Sequence, residues 1–192
     1  MNWKISSACA LIGVTVLAGC GSAEQSGPAP SSAAPQPPAE HYTDQNAGFS
    51  IDPPPGWRVG SSIDPVTVTF YRLPPDAAGG KPFPVNLNVV IAPTTDTLDA
   101  NVAAAQAGLP GVLPGYQQTT DERTQLADGT PAHFMGGTYE QAGNRLQNMQ
   151  LVTVGLGNAY VLTGTAPQAS FSRYEQDLRR SLLTFKLPQA PR

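Results

Sequence analysis

Between Tyr116 and Thr165 the chain is committed to an antiparallel sheet. Four strand-like runs, 116–126, 132–141, 145–154 and 159–165, follow one another with almost nothing between them. The interruptions are Asp128-Gly129, Ala142-Gly143-Asn144 and Gly155-Leu156-Gly157-Asn158, each a turn signal. Parallel neighbours need a crossover of a dozen or more residues, so links this short impose an antiparallel meander. Upstream, Val66-Thr67-Val68-Thr69-Phe70 and Val85-Asn86-Leu87-Asn88-Val89 alternate apolar and polar residues, the mark of half-buried strands. The second run puts Asn86 and Asn88 on its outer face.

Two segments change period. Leu98, Val102, Ala105 and Leu109 share one helical face, with Asp96 or Thr97 as cap and Gly108 with Pro110 as stop signal. Phe171, Tyr174, Leu178, Leu182 and Phe185 form a second stripe. There Ser172 and Glu175 have capping-box spacing, and Glu175 and Arg179 form an i,i+4 pair. Both stripes read as core contacts. The expected class is α+β, a central antiparallel sheet with helices packed on it.

The first twenty residues have a different purpose. Lys4 precedes an uncharged, mostly apolar run from Ile5 to Ala18. That run is too short to span a bilayer comfortably, and Gly, Ser, Ala and Pro follow it instead of a charged stop, so it reads as an export signal. Leu17-Ala18-Gly19-Cys20 resembles the bacterial lipobox, in which the cysteine is lipidated and becomes the first residue of the mature chain. The expectation is a signal peptide over 1–19 and a lipid-anchored protein on the outer face of the cell membrane. Acyl chains on Cys20 would hold it there, at about 0.8 kcal/mol per buried methylene. Cys9 leaves with the signal, so the folded part keeps no cysteine for a disulfide, a nucleophile or a zinc ligand.

From Gly21 to Glu40, 16 of 20 residues are Gly, Ala, Ser or Pro. Without large apolar side chains such a stretch is expected to be a disordered tether, from 20 to 41 with the lipidated cysteine. A single globular domain is expected over 42–188, with a tail at 189–192. Residues 41–192 hold ten Lys or Arg and twelve Asp or Glu with no basic stripe, which argues against a nucleic-acid partner.

A resemblance sharpens the expected fold. "GFSIDPPPGW" (48–57) resembles the opening of PsbP-like domains. "LPGYQ" (113–117), "DGTPAHFMGGTY" (128–139), "GNRLQNMQLVTV" (143–154) and "GNAYVLTGTA" (157–166) are similar to the LpqN and LpqT lipoproteins of mycobacteria. The resemblance implies an α/β/α-sandwich-like body with a central antiparallel sheet, and a binding or accessory role in the cell envelope. It carries no catalytic residue across.

The residues themselves offer little chemistry. His41 reads as solvated at the tether boundary, and His133, in a strand beside Phe134, as a packed structural histidine. There is no G-x-S-x-G, so a hydrolase would need distant Asp and Ser residues to converge on His133. Two isolated histidines give no zinc spacing, and Asp44-Gln45-Asn46-Ala47-Gly48 reads as a polar turn, not a calcium loop. Gly79-Gly80-Lys81 lacks the rest of a phosphate loop and reads as a mobile connection between strands. Asp121 and Glu122, adjacent in a strand, should point to opposite faces. No cofactor or metal is expected.

Of the aromatics Trp57, Tyr71, Tyr116, Phe134, Tyr139 and Tyr160, about four of six should be core by ordinary burial preferences. Trp57, Tyr71, Tyr116 and Tyr139 are the candidates for gripping a ligand, beside the 74–84 loop in particular. The leading functional reading is a lipid-anchored, non-catalytic binding or accessory module for another envelope component, protein or lipid. The alternatives are a carrier of a lipid or small apolar ligand and, below it, a hydrolase centred on His133.

Overall fold

The runs 132–139 and 148–153 are buried at every position, so the sheet they build must be covered on both faces, and the chain supplies a helix for each. The computed structural model describes residues 40–60 and 62–189. The signal, Cys20 and most of the tether therefore lie outside the described residues, as does the end of the tail.

A small hairpin, β1 (Tyr42–Thr43) and β2 (Ser50–Ile51), precedes the main sheet. Its seven strands are β3 (Arg58–Gly60), β4 (Val66–Tyr71), β5 (Asn86–Pro93), β6 (Gln117–Gln125), β7 (Pro131–Gln141), β8 (Asn144–Gly155) and β9 (Asn158–Pro167). Helix α1 (Leu98–Val112) crosses between β5 and β6, and a 3-10 turn (Gln168–Arg173) leads into α2 (Glu175–Leu183). Every pairing is antiparallel, in the order β3-β4-β5-β9-β8-β7-β6. No described helix is long and apolar enough to cross a membrane.

The expected meander is present and its turns are tight. Ala142-Gly143 and Leu156-Gly157 each close a two-residue hairpin, with positive φ at both positions (50° and 79°, 51° and 75°). That geometry matches the twist of the strands but strains a leucine, and the Leu156 side chain is left exposed.

The two faces of the sheet bury different cores. On one, Phe134, Leu151, Leu162 and Leu87 meet Phe171, Leu178 and Leu182, with Phe49, Tyr160 and Phe185 as an aromatic centre. On the other, Val102, Leu109 and Leu113 pack on Met135, Tyr139, Leu146 and Val152. The layers are thus α1, sheet, and 3-10 turn with α2. The β1–β2 hairpin is tied to the chain after α2 by reciprocal backbone bonds between Ser50 and Lys186, at 3.1 and 2.9 Å.

Four local expectations are corrected. First, α1 does not stop at Gly108 and Pro110; it runs to Val112 with Pro110 inside. Leu113 N–H still bonds the Leu109 carbonyl at 2.9 Å. Burying Leu109 and Leu113, about 1.5–3 kcal/mol each, offsets the roughly 3 kcal/mol that an interior proline costs. Thr97 is the cap, accepting from Ala100 N–H at 3.2 Å.

Second, the C-terminal stripe is not one helix. It breaks at Tyr174, which caps α2 without a side-chain bond, so the Ser172–Glu175 capping box does not form. The Tyr174 hydroxyl is drawn to Asp76 Oδ2 at 2.6 Å, a tertiary contact that overrides the local signal. Third, Arg179 bonds Glu122 of β6 at 3.0 Å and lies over the Phe134 ring at 4.3 Å, so its observed ionic partner is not Glu175. Fourth, the 79–81 connection is pinned. Asp76 and Phe83 exchange backbone bonds of 2.9 and 2.8 Å, and Lys81 N–H bonds Asn144 Oδ1 at 3.2 Å.

Candidate functional site

In an antiparallel sheet, residues in register on one face form rows across the strands. On the α1 face two such rows are polar. One runs Tyr71–Asn86–Thr165–Asn148–Gly137 across β4, β5, β9, β8 and β7. The next runs Thr69–Asn88–Thr163–Gln150 before reaching Met135. An apolar row, Val90–Val161–Val152, lies alongside and ends at His133.

Helix α1 packs on β7 and β8, so the rows are covered at one end and open at the other. Asn148, Gln150 and Thr165 are buried, whereas Tyr71, Asn86, Asn88, Thr69 and Thr163 are half-buried. A helix-covered face is normally apolar and a solvated one normally charged. This half-face carries amides and hydroxyls and, within the two rows, no charge.

Three of the four candidate aromatics lie on this face, Tyr71 at its open end and Tyr139 and Tyr116 at the end that α1 covers. Tyr71 starts the first row. Tyr139, on the same face of β7, is buried and lies beside Thr165, and burial lifts its hydroxyl pKa to about 12 although the Thr165 bond works against the rise. Tyr116 lies over Gly137, where an added Cβ would stand 2.6 Å from its ring and 2.5 Å from the Gln117 carbonyl oxygen. Only glycine permits that approach. The Tyr116 hydroxyl is buried without a hydrogen-bond partner among the described residues, and burial raises its pKa. An unmet buried hydroxyl costs about 1–3 kcal/mol.

Trp57 is not part of this group. It is buried in the larger core on the opposite face and edges an open pocket beside the 74–84 loop. Of the six aromatics considered, Trp57, Phe134, Tyr139 and Tyr160 are buried, and Tyr71 and Tyr116 are half-buried.

His133 has a partner after all. Its Nε2 lies 2.5 Å from Asp121 Oδ1, and that bond is the main reason the Asp121 carboxyl titrates below the usual range. Asp121 and Glu122 do point to opposite faces, the first to His133 and the second to Arg179. Thr163, a hydroxyl of the polar rows, is on β9 with β8 between it and His133. Two strand spacings put it about 10 Å away, far outside hydrogen-bond reach. Asp44 is a turn residue, with Oδ1 accepting from Asn46 and Ala47 N–H at 3.0 and 2.7 Å and Oδ2 from Tyr42. His41 is exposed and lies 2.5 Å from Asp52. Among the described residues no three His, Cys, Asp or Glu side chains cluster as a metal site would.

The amide rows escaped the sequence reading for lack of register. Asn86 and Asn88 could be assigned an outer face from alternation, but their alignment with Thr165, Asn148, Thr163 and Gln150 depends on β5 pairing with β9.

A seven-stranded antiparallel sheet between α1 and α2, with a turn-closed meander at one side, defines a PsbP-like fold. The solution structure of cyanobacterial PsbP (CyanoP) from Synechocystis superposes with a TM-score of 0.58 at 15% identity, covering 87% of this chain and 98% of that one. The crystal structure of LpqN, described as involved in cell envelope biogenesis of Mycobacterium tuberculosis, gives 0.56 at 18% identity, covering 78% and 90%. Both likenesses concern the fold. The comparison with curated proteins finds no significant match. Residues 35–170 match the Lpp-LpqN family, described as "Probable lipoprotein LpqN", and the chain belongs to that family. It is therefore a lipoprotein-family protein associated with the cell envelope.

Proposed function

We propose that this is a lipid-anchored, non-catalytic binding module that holds an uncharged polar group of another envelope component on the open half of the α1 face. The single observation that carries the reading is the pair of uncharged polar rows, Tyr71–Asn86–Thr165–Asn148 and Thr69–Asn88–Thr163–Gln150. Amides and hydroxyls give directional hydrogen bonds without long-range attraction. They suit hydroxyl- or amide-bearing groups and discriminate against apolar ones, since an unmatched buried polar group is penalised. The rows contain no nucleophile and base within reach of each other, which supports binding over hydrolysis. They are also poor walls for an acyl chain, which weighs against the carrier reading at this face. Cys20, outside the described residues, is the proposed anchor to the outer face of the membrane.

The test is site-specific photo-crosslinking in intact cells. A benzoylphenylalanine at Asn88 should give a discrete crosslinked species whose mass names the component, whereas one at Gln176 on α2 should not. His133→Ala should leave the Asn88 crosslink unchanged. Crosslinking from Gln176 and none from Asn88 would move the site off this face, and loss of the crosslink in a folded His133→Ala protein would reopen the hydrolase.

A further inference from the structure

The other face of the sheet carries a concavity of its own, where three distant segments meet. The turn at Pro55–Trp57, the segment 72–77 after β4 and the junction at Arg173–Asp177 enclose about 530 Å³, open to solvent. That volume falls in the range of small-molecule sites. Its working residues are Trp57, Arg72, Asp76, Arg173, Tyr174 and Asp177.

Its two carboxylates are engaged away from its two guanidiniums. Asp177 is engaged by Arg180 at 3.3 Å. Asp76 has both oxygens occupied: the Tyr174 hydroxyl donates at 2.6 Å and Ala78 N–H at 2.7 Å. Those bonds, the Tyr174 one first, hold the Asp76 carboxyl below the usual range, so it remains a charged acceptor. Arg72 stands 5.7 Å over the Tyr174 ring, its cationic face satisfied by the aromatic quadrupole. Neither Arg72 nor Arg173 has a carboxylate within 4.0 Å among the described residues. The pocket's two guanidiniums thus face two carboxylates that already have their hydrogen-bond partners. A half-buried guanidinium stacked on a ring keeps its N–H edges free, and those edges match the spacing of two oxygens on one anion.

We infer that this pocket is an oxyanion site. Arg72 and Arg173 take a phosphate or carboxylate group between their N–H edges. Trp57 and Tyr174 form the wall against which the body of the ligand lies. The site is separate from the polar rows, since Arg72 follows Tyr71, the last residue of β4, and lines the pocket on the opposite side of the sheet. It does not depend on the function proposed above.

The chain has two tryptophans, Trp3 and Trp57, so the full chain carrying Trp3→Phe reports on the pocket through a single indole. Inorganic phosphate and succinate, titrated at constant ionic strength against chloride, should change Trp57 emission saturably. Arg72→Gln and Arg173→Gln should each weaken that response about tenfold or more, because a hydrogen bond to a charged group is lost. Arg173→Lys, which keeps the charge and loses the fork, should fall between. Arg173 is exposed, so its variants should melt like the parent. Vesicles of phosphatidylcholine with and without phosphatidylglycerol identify the source. A response to the anionic vesicles below the concentration of free phosphate required assigns the anion to a lipid headgroup, and a response to free anions alone assigns it to a soluble ligand. No saturable response to phosphate, succinate or anionic vesicles would overturn the inference, as would a response that survives in the folded Arg72→Gln/Arg173→Gln protein. An unchanged Asn88 crosslink in that double variant would show that the two sites fail or stand separately.

Discussion

Helix α2 presents one wall of the oxyanion pocket, and its seat on the sheet depends on a size match that can be exchanged. Leu178 is fully buried, and Gly164 of β9 lies beneath it. A Cβ built on Gly164 would stand 2.6 Å from Leu178 Cδ2 and 3.0 Å from Cδ1. Leu178→Ala removes those atoms and should cost about 3 kcal/mol, lost burial plus a cavity. For a domain of this size that lowers Tm by about 6–12 °C. Gly164→Ala should cost about 1–2 kcal/mol, overpacking partly offset by a less flexible unfolded chain. In the double variant the new methyl group enters the space Leu178 vacated. The pair should therefore be no less stable than Leu178→Ala alone, with a favourable coupling of at least about 1 kcal/mol. Urea unfolding at 25 °C followed by circular dichroism measures all four corners of the cycle. Additivity within about 0.5 kcal/mol would refute the argument, because it would mean that Leu178 does not occupy the gap left by the glycine.

Two other outcomes follow from the same structure. Tyr139 has its pKa raised by burial to about 12, so folding favours the neutral phenol. The contribution is complete below about pH 10, the unfolded value, and is lost as pH rises from there to about 12. Tyr139→Phe should flatten the alkaline fall in unfolding free energy and remove one late-titrating hydroxyl from the phenolate absorbance curve; an unchanged curve would contradict its burial. Cys20→Ser should release the protein from membranes. The circular dichroism of the released protein should not change, because all seven strands of the main sheet lie beyond residue 57. Retention in the membrane fraction after a carbonate wash would remove the lipid anchor.

Local chemistry made much of this fold legible in the chain itself. A hairpin turn, a two-residue alternation and a helical stripe are each properties of a few neighbouring residues, so the meander from β6 to β9, the two helical segments and the opposed directions of Asp121 and Glu122 could all be read in advance. So could the membership of a lipoprotein family, which is carried by short motifs. The readings that failed were the ones where a distant contact outweighs a local preference. Pro110 stays within α1 because Leu109 and Leu113 are anchored in the second core, and the C-terminal stripe breaks at Tyr174 because Asp76, 98 residues earlier, holds its hydroxyl.

Both candidate sites belong wholly to that second category. Alternation tells which way Asn86 points but not what stands beside it. The pairing of β5 with β9 decides that, placing residues 71, 86, 165 and 148 in one row. Residues 57, 72 and 173 likewise meet only after the β3–β4 edge and the α2 junction have packed on the same side of the sheet. A sequence of this kind determines its elements, because their energetics are local. It leaves the neighbours across the sheet, and therefore the binding surfaces, to tertiary packing, because those contacts are made between segments that only the finished fold brings together.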